Sequence, residues 1–168
     1  MRKMTQANLE AAFAGESQAH MRYLAFAQKA EEEGYPNVAR LFRAISYAEQ
    51  VHATNHFQAL GELGTSAPNL AAAIEGETFE VEEMYPAYDA IAKLQDEKAA
   101  ARSIHYALEA EKIHAAMYRE AQQAVQAGKD VELGSIYICS VCGHTGEGEP
   151  PERCPVCGAT ADKFRTFA

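Results

Sequence analysis

Two Glu-x-x-His segments, Glu49-Gln50-Val51-His52 and Glu111-Lys112-Ile113-His114, constrain this chain more than anything else in it. Residues i and i+3 of a helix share a face, so each segment offers one oxygen and one nitrogen to the same point in space. A further glutamate precedes each segment, Glu16 by 33 residues and Glu77 by 34. One glutamate from each of two helices and a Glu-x-x-His from each of two others make the ligand set of a carboxylate-bridged two-metal centre in a four-helix bundle. The spacing therefore predicts both an all-α fold and a paired-metal site inside it.

Helical periodicity supports this. Seams at 4-3-4 spacing run Leu9, Phe13, Glu16, His20, Tyr23 in the first helix and Val38, Phe42, Ile45, Glu49, His52 in the second. The third gives Ile74, Glu77, Val81, Met84, Tyr88, and the fourth gives Ile104, Leu108, Glu111, Ala115, Tyr118. Each seam is apolar except near one glutamate, and a buried carboxylate is costly unless something compensates its charge. Cations between the four glutamates supply that compensation. His20 and His56 lie on the same seams and are read as hydrogen-bonded core histidines, and His105 and His144 carry no motif.

Helix boundaries follow from local chemistry. Thr5 is expected to cap a first helix that Gly34 stops. Pro36 starts a second, reaching about Glu62 before Gly64. A third runs from about Leu70 to Leu94, kinked at Pro86, and Asp96 caps a fourth that ends near Gly128. The halves repeat: Gly15-Glu16-Ser17 parallels Gly76-Glu77-Thr78, and Ala48-Glu49 with His52 parallels Ala110-Glu111 with His114. The repeat predicts a pseudo-twofold site. Glu80, one turn past Glu77, has only Ala19 as its counterpart, so it is a fifth carboxylate that breaks the symmetry.

After the stretch Gly128–Ser135, a linker, the chain changes character. Cys139-Ser140-Val141-Cys142-Gly143 and Cys154-Pro155-Val156-Cys157-Gly158 are two knuckles of a tetrahedral four-thiolate site. About 30 residues bury too little to fold alone, so the metal holds the module together. Spacing alone favours zinc; a redox centre next door turns the balance to iron. The domains are accordingly 1–134, a helical bundle, and 135–168, a small metal-bound β/loop module. The cysteines occur only in this metal pattern, which fits a reducing, cytoplasmic setting, and the N-terminus lacks the apolar run of a secretory signal. The net charge of −9 and absence of a basic patch argue against nucleic acid, and no segment is apolar enough to span a membrane.

These motifs together resemble those of the rubrerythrin family, a ferritin-like di-iron bundle fused to a rubredoxin-like domain. The resemblance covers nearly the whole chain and rests on Gly15-Glu16-Ser17-Gln18-Ala19, Glu49 with His52, Gly76-Glu77-Thr78-Phe79-Glu80, Met84-Tyr85-Pro86, Glu109 to His114 and both knuckles. It implies seven di-iron ligands, Glu16, Glu49, His52, Glu77, Glu80, Glu111 and His114, with Glu49 and Glu111 bridging. It implies that one iron exchanges His52 for Glu80 between the diferrous and diferric states, and that Tyr23 and Tyr85 hydrogen-bond ligand carboxylates. One further iron is implied at Cys139, Cys142, Cys154 and Cys157. The implied activity is reduction of hydrogen peroxide to water. Electrons would come through the four-cysteine iron from an external rubredoxin or NAD(P)H-dependent reductase, since the chain has no glycine-rich nucleotide motif. An iron-oxidising or storage protein and a zinc-stabilised interaction module are the alternatives.

Reach along the chain adds an expectation of assembly. Glu111 stands roughly 25 Å along its helix from the linker, and eight extended residues span at most about 28 Å. Folding back within one chain is strained on that count. A homo-oligomer, dimer or tetramer, in which a tail docks beside a neighbour's site would relieve it, and the resemblance points the same way.

Overall fold

In the computed structural model, which describes residues 1–168, the chain divides into two compact units, Met1–Gly64 and Thr65–Ala168. The first is a helical hairpin of α1 (Lys3–Glu32) and α2 (Pro36–Leu60). Gly34 turns the chain with φ of 84°, a left-handed value open to glycine, and Pro36 occupies the first turn of α2. Two boundaries differ from expectation. The α1 helix begins ahead of Thr5, with Arg2 at its N-cap, where the Arg2 carbonyl accepts from Gln6 N–H at 3.0 Å. The α2 helix stops at Gly61 rather than Gly64, the first glycine being enough for a left-handed C-cap at φ 78°.

The second unit contains a long bent rod, α3 (Ser66–Phe79), a π-helical turn (Glu80–Met84) and α4 (Tyr85–Leu94), followed by α5 (Lys98–Gln126). The bend expected at Pro86 takes the form of the π turn. Pro86 has no N–H to give and its ring crowds the carbonyl one turn back; the wider turn just before it relieves both, and Tyr85 N–H bonds to Glu80 O instead. Asp96 does not cap α5. It sits at φ 54°, ending α4 in a left-handed conformation that aspartate tolerates, and Glu97 takes the N-cap position.

The linker leads into a three-stranded antiparallel sheet of order β2-β1-β3: β1 Ile136–Cys139, β2 Thr145–Glu147 and β3 Phe164–Phe167. Its small core is Cys139, Cys142 and Cys154, with Tyr106 of α5 and Phe164 packed against it. Among the helices, the buried residues are seven alanines and Ser46. Small side chains let paired helices approach closely. They leave large seam residues such as Val38, Ile45, Tyr88 and Ile91 exposed. No helix is long and apolar enough to cross a membrane.

Candidate metal centres

Each unit gathers one half of the expected ligand set. In the first, α1 supplies Glu16 and α2 supplies Glu49 and His52; one ligand atom from each lies within 4.8 Å of the others. His52 Nδ1 is 2.9 Å from Glu49 Oε2 and 4.0 Å from Glu16 Oε1. In the second, α3 supplies Glu77 and α5 supplies Glu111 and His114, again within 4.8 Å. His114 Nδ1 is 2.5 Å from Glu111 Oε2. The same nitrogen faces the same glutamate in both triplets, so the sequence repeat is also a repeat of site geometry.

The second triplet is electrostatically unfinished without a cation. Burial, then the neighbouring charge of Glu111, pushes Glu77 up to about 7. Glu80, the first residue of the π turn, is also raised, by burial first and then by Glu111. Tyr85 is raised by burial and by Glu80, Glu111 and Glu77, so its hydroxyl keeps its proton and faces a carboxylate cluster. The ring of Tyr23 packs with Phe26 and Phe42 on the α1–α2 hairpin. His20 is a core histidine as read from the sequence: its Nδ1 lies 2.9 Å from both the hydroxyl and the carbonyl oxygen of Ser46. Carboxylates and imidazole in this ratio suit a transition metal such as iron.

The four cysteines converge. Cys139 and Cys157 sulfurs are 3.7 Å apart, Cys142 and Cys154 3.4 Å, and all four lie within 4.8 Å. Metal–sulfur bonds of about 2.3 Å place tetrahedral sulfurs about 3.8 Å apart, so the cluster is already near the size of its cation. Gly143 and Gly158 hold φ of 80° and 76°, turning the backbone so that His144 N–H reaches the Cys142 sulfur and Ala159 N–H the Cys157 sulfur. Burial opposes ionisation of Cys154, but the N–H groups of Cys157 and Val156 overcome it and bring that thiol down to about 7. His144 lies beside this cluster with its Nδ1 buried and unpartnered, and burial lowers its pKa.

The tail lies on its own chain. His114 Nε2 lies 2.8 Å from Thr145 Oγ1, and a cavity of about 310 Å³ is shared by Ala110, Glu111 and His114 of α5 with Cys142 and Gly143 of the knuckle. The reach that the linker alone makes strained is covered because β1 runs on toward the site and carries the cysteines at its end. One residue absent from the sequence reading is central here. Thr145, buried on β2, has its Oγ1 2.8 Å from His114 Nε2 and donates to Gly143 O at 2.9 Å. No motif marks it, because a hydroxyl 31 residues from its partner leaves no periodic trace.

A helical scaffold with two Glu, Glu-x-x-His triplets and a four-cysteine knuckle defines the class of non-haem di-iron proteins that carry a rubredoxin-like module. The rubrerythrin family model matches residues 7–122, and the model of the rubrerythrin rubredoxin-like domain matches residues 137–165. Rubrerythrin-2 of Clostridium acetobutylicum is 47% identical over 178 residues, covering 98% of this chain and 97% of that protein. Nigerythrin of Nitratidesulfovibrio vulgaris is 35% identical, covering 97% and 86%. A solved nigerythrin in a mixed-valence state aligns with a TM-score of 0.54 at 32% identity, over 97% of this chain and 86% of that one. The chain belongs to the rubrerythrin family. Its metal complement is two irons held by the carboxylate–histidine set and one iron held by the four cysteines. The family places it among oxidoreductases of the oxidative-stress response.

Proposed function

We propose that this protein is a peroxidase that reduces hydrogen peroxide to water, drawing electrons through its own rubredoxin-type iron from an external rubredoxin or NAD(P)H-linked reductase. The observation that carries this reading is the four-cysteine knuckle seated against Glu111 and His114: a centre that only stored iron would not need a one-electron carrier at its side. Paired irons, when bound, supply two electrons at one place, as cleavage of an O–O bond requires. The ligands are Glu16, Glu49, His52, Glu77, Glu80, Glu111 and His114, with Cys139, Cys142, Cys154 and Cys157 at the third iron. Glu80 would be the extra ligand of one iron in its oxidised state, its negative charge offsetting the added positive one. Tyr85 offers its retained proton as a hydrogen bond to the carboxylates, and Tyr23 plays the matching part. An apolar cavity of about 390 Å³ opens onto His114 between Leu70, Met117, Leu133 and Ile138, a setting suited to a small neutral substrate.

The functional division is a di-iron part, 1–134, and an electron-carrying part, 135–168, working in the cytoplasm. The protein works as a homo-oligomer, because helices that bury only alanines and Ser46 leave apolar seams needing a partner surface, and a second copy supplies the same seams. The experiment is metal analysis of protein made anaerobically with iron, joined to peroxide turnover against reduced rubredoxin. Three irons per chain with sustained turnover is the expected result. Iron uptake without donor-dependent turnover would favour the storage reading.

A further inference from the structure

We infer that Thr145 is a positioning residue that fixes the ring of His114 for metal binding and joins the four-cysteine knuckle to it through one continuous hydrogen-bonded path. A threonine hydroxyl has a single proton. Here it is committed, since Thr145 Oγ1 donates to the carbonyl of Gly143 at 2.9 Å. Toward His114 Nε2, 2.8 Å away, the same oxygen can therefore only accept. A ring with its proton on Nε2 would suit that acceptor and would leave its lone pair on Nδ1. That nitrogen is the one turned to Glu111 Oε2, at 2.5 Å. A metal cation would be held between that lone pair and the carboxylate oxygen.

Metal-binding histidines ordinarily give their second N–H to a carboxylate, a carbonyl or water. In this chain the acceptor is a hydroxyl whose own proton goes to the residue that follows a cysteine ligand. The path runs Cys142, Gly143 carbonyl, Thr145 hydroxyl, His114 Nε2; Thr145 and Cys142 are buried, at 4% and 7% exposed, and Gly143 and His114 are half-buried. With iron bound, Cys142 and His114 would hold an electron donor and an acceptor at its two ends, so that one electron lost at the knuckle would be gained in the bundle with no bond formed or broken. Gly143 belongs to this arrangement as well, because its backbone at φ 80° is one that a residue with a side chain adopts only under strain. The inference rests on the two-iron reading of Glu111 and His114, and its first test needs neither iron nor peroxide.

The test compares native protein with Thr145→Val and Thr145→Ser. In protein with zinc in the four-cysteine site and an empty bundle, two-bond proton–nitrogen correlation spectra report which ring nitrogen of His114 is protonated. Native protein and Thr145→Ser are expected to show the Nε2–H form, and Thr145→Val a mixture. In iron-loaded protein with the knuckle reduced, peroxide is added and the red ferric-thiolate absorption is followed by stopped flow. Its appearance is expected to slow about tenfold or more in Thr145→Val, the range that loss of such a partner produces, and to stay within about twofold in Thr145→Ser. An Nδ1–H form in the native protein overturns the inference. So does native-speed transfer in Thr145→Val, or a serine variant as slow as the valine one. Failure of peroxide turnover with the Nε2–H result intact would count against the peroxidase reading alone.

Discussion

Glu77 carries its proton at a pH where a solvated glutamate has lost it, and this gives the metal-free chain a pH dependence of definite sign. Its carboxyl sits at about 7 in the folded chain, against 4.5 as the ordinary value. The folded state therefore binds a proton that the unfolded state releases, and stability falls as pH rises from about 4.5 to about 7, then levels. Metal reverses the slope, because ligands must be ionised to bind it. Thermal unfolding of stripped and loaded protein at pH 5 and pH 8 is expected to show opposite trends. Glu80→Ala should still bind two metals in the bundle, since Glu49 and Glu111 remain, and should slow the peroxide cycle; turnover at the native rate would remove Glu80 from the mechanism. At this scale the ligands were legible because each interrupts an apolar seam, which makes a charged residue conspicuous. Thr145 was not, because a buried hydroxyl interrupts nothing.

The element with most consequence is the π turn Glu80–Met84. It inserts one residue into what would otherwise be a continuous helix, and this sets Glu80 and Tyr85 on the face toward Glu111. Deleting the exposed Glu83 should convert the turn to α-helix and rotate α4 by about 100° relative to α3, since each helical residue turns the chain by that much. Ala92 then leaves its buried position and Tyr85 leaves the carboxylates. The expected cost is about 1–3 kcal/mol, read by denaturant unfolding of the metal-free protein, with weaker cobalt binding as the second readout. The sequence announced a bend through Pro86. It could not announce the kind, because a π turn differs from an α turn only in which carbonyl each N–H selects. Asp96 illustrates the same limit: aspartate suits both a helix N-cap and a left-handed C-terminus, and the short α4–α5 connection decided for the latter.

On the scale of the molecule, the placement of the tail decides which bundle residues it serves. The reach calculation from sequence treated the linker as the only spacer and so favoured a neighbour's tail. The sheet itself supplies the missing length, and the knuckle rests on its own α5. Mixing Cys139→Ala/Cys142→Ala chains with Glu111→Ala/His114→Ala chains is expected to give no recovery of peroxide turnover, even where mass spectrometry proves mixed oligomers. Recovery would mean that a tail works beside another chain's His114. Sedimentation of the native protein should show a homo-oligomer, for the seams exposed on the helices bury too little within each hairpin. The fold class, the two clusters of glutamates and histidine and the four-cysteine cluster were readable from periodicity and spacing. Tail placement was not, because it depends on where a three-stranded sheet points.

The bond between Thr145 and His114 also gives the protein an order in time. The cysteine module has a core of little more than its ligands, so its strands close only once its metal is in place. Thr145 belongs to that module, and His114 has its acceptor only after closure. Filling the tail with metal is therefore expected to come before, and to strengthen, metal binding at His114.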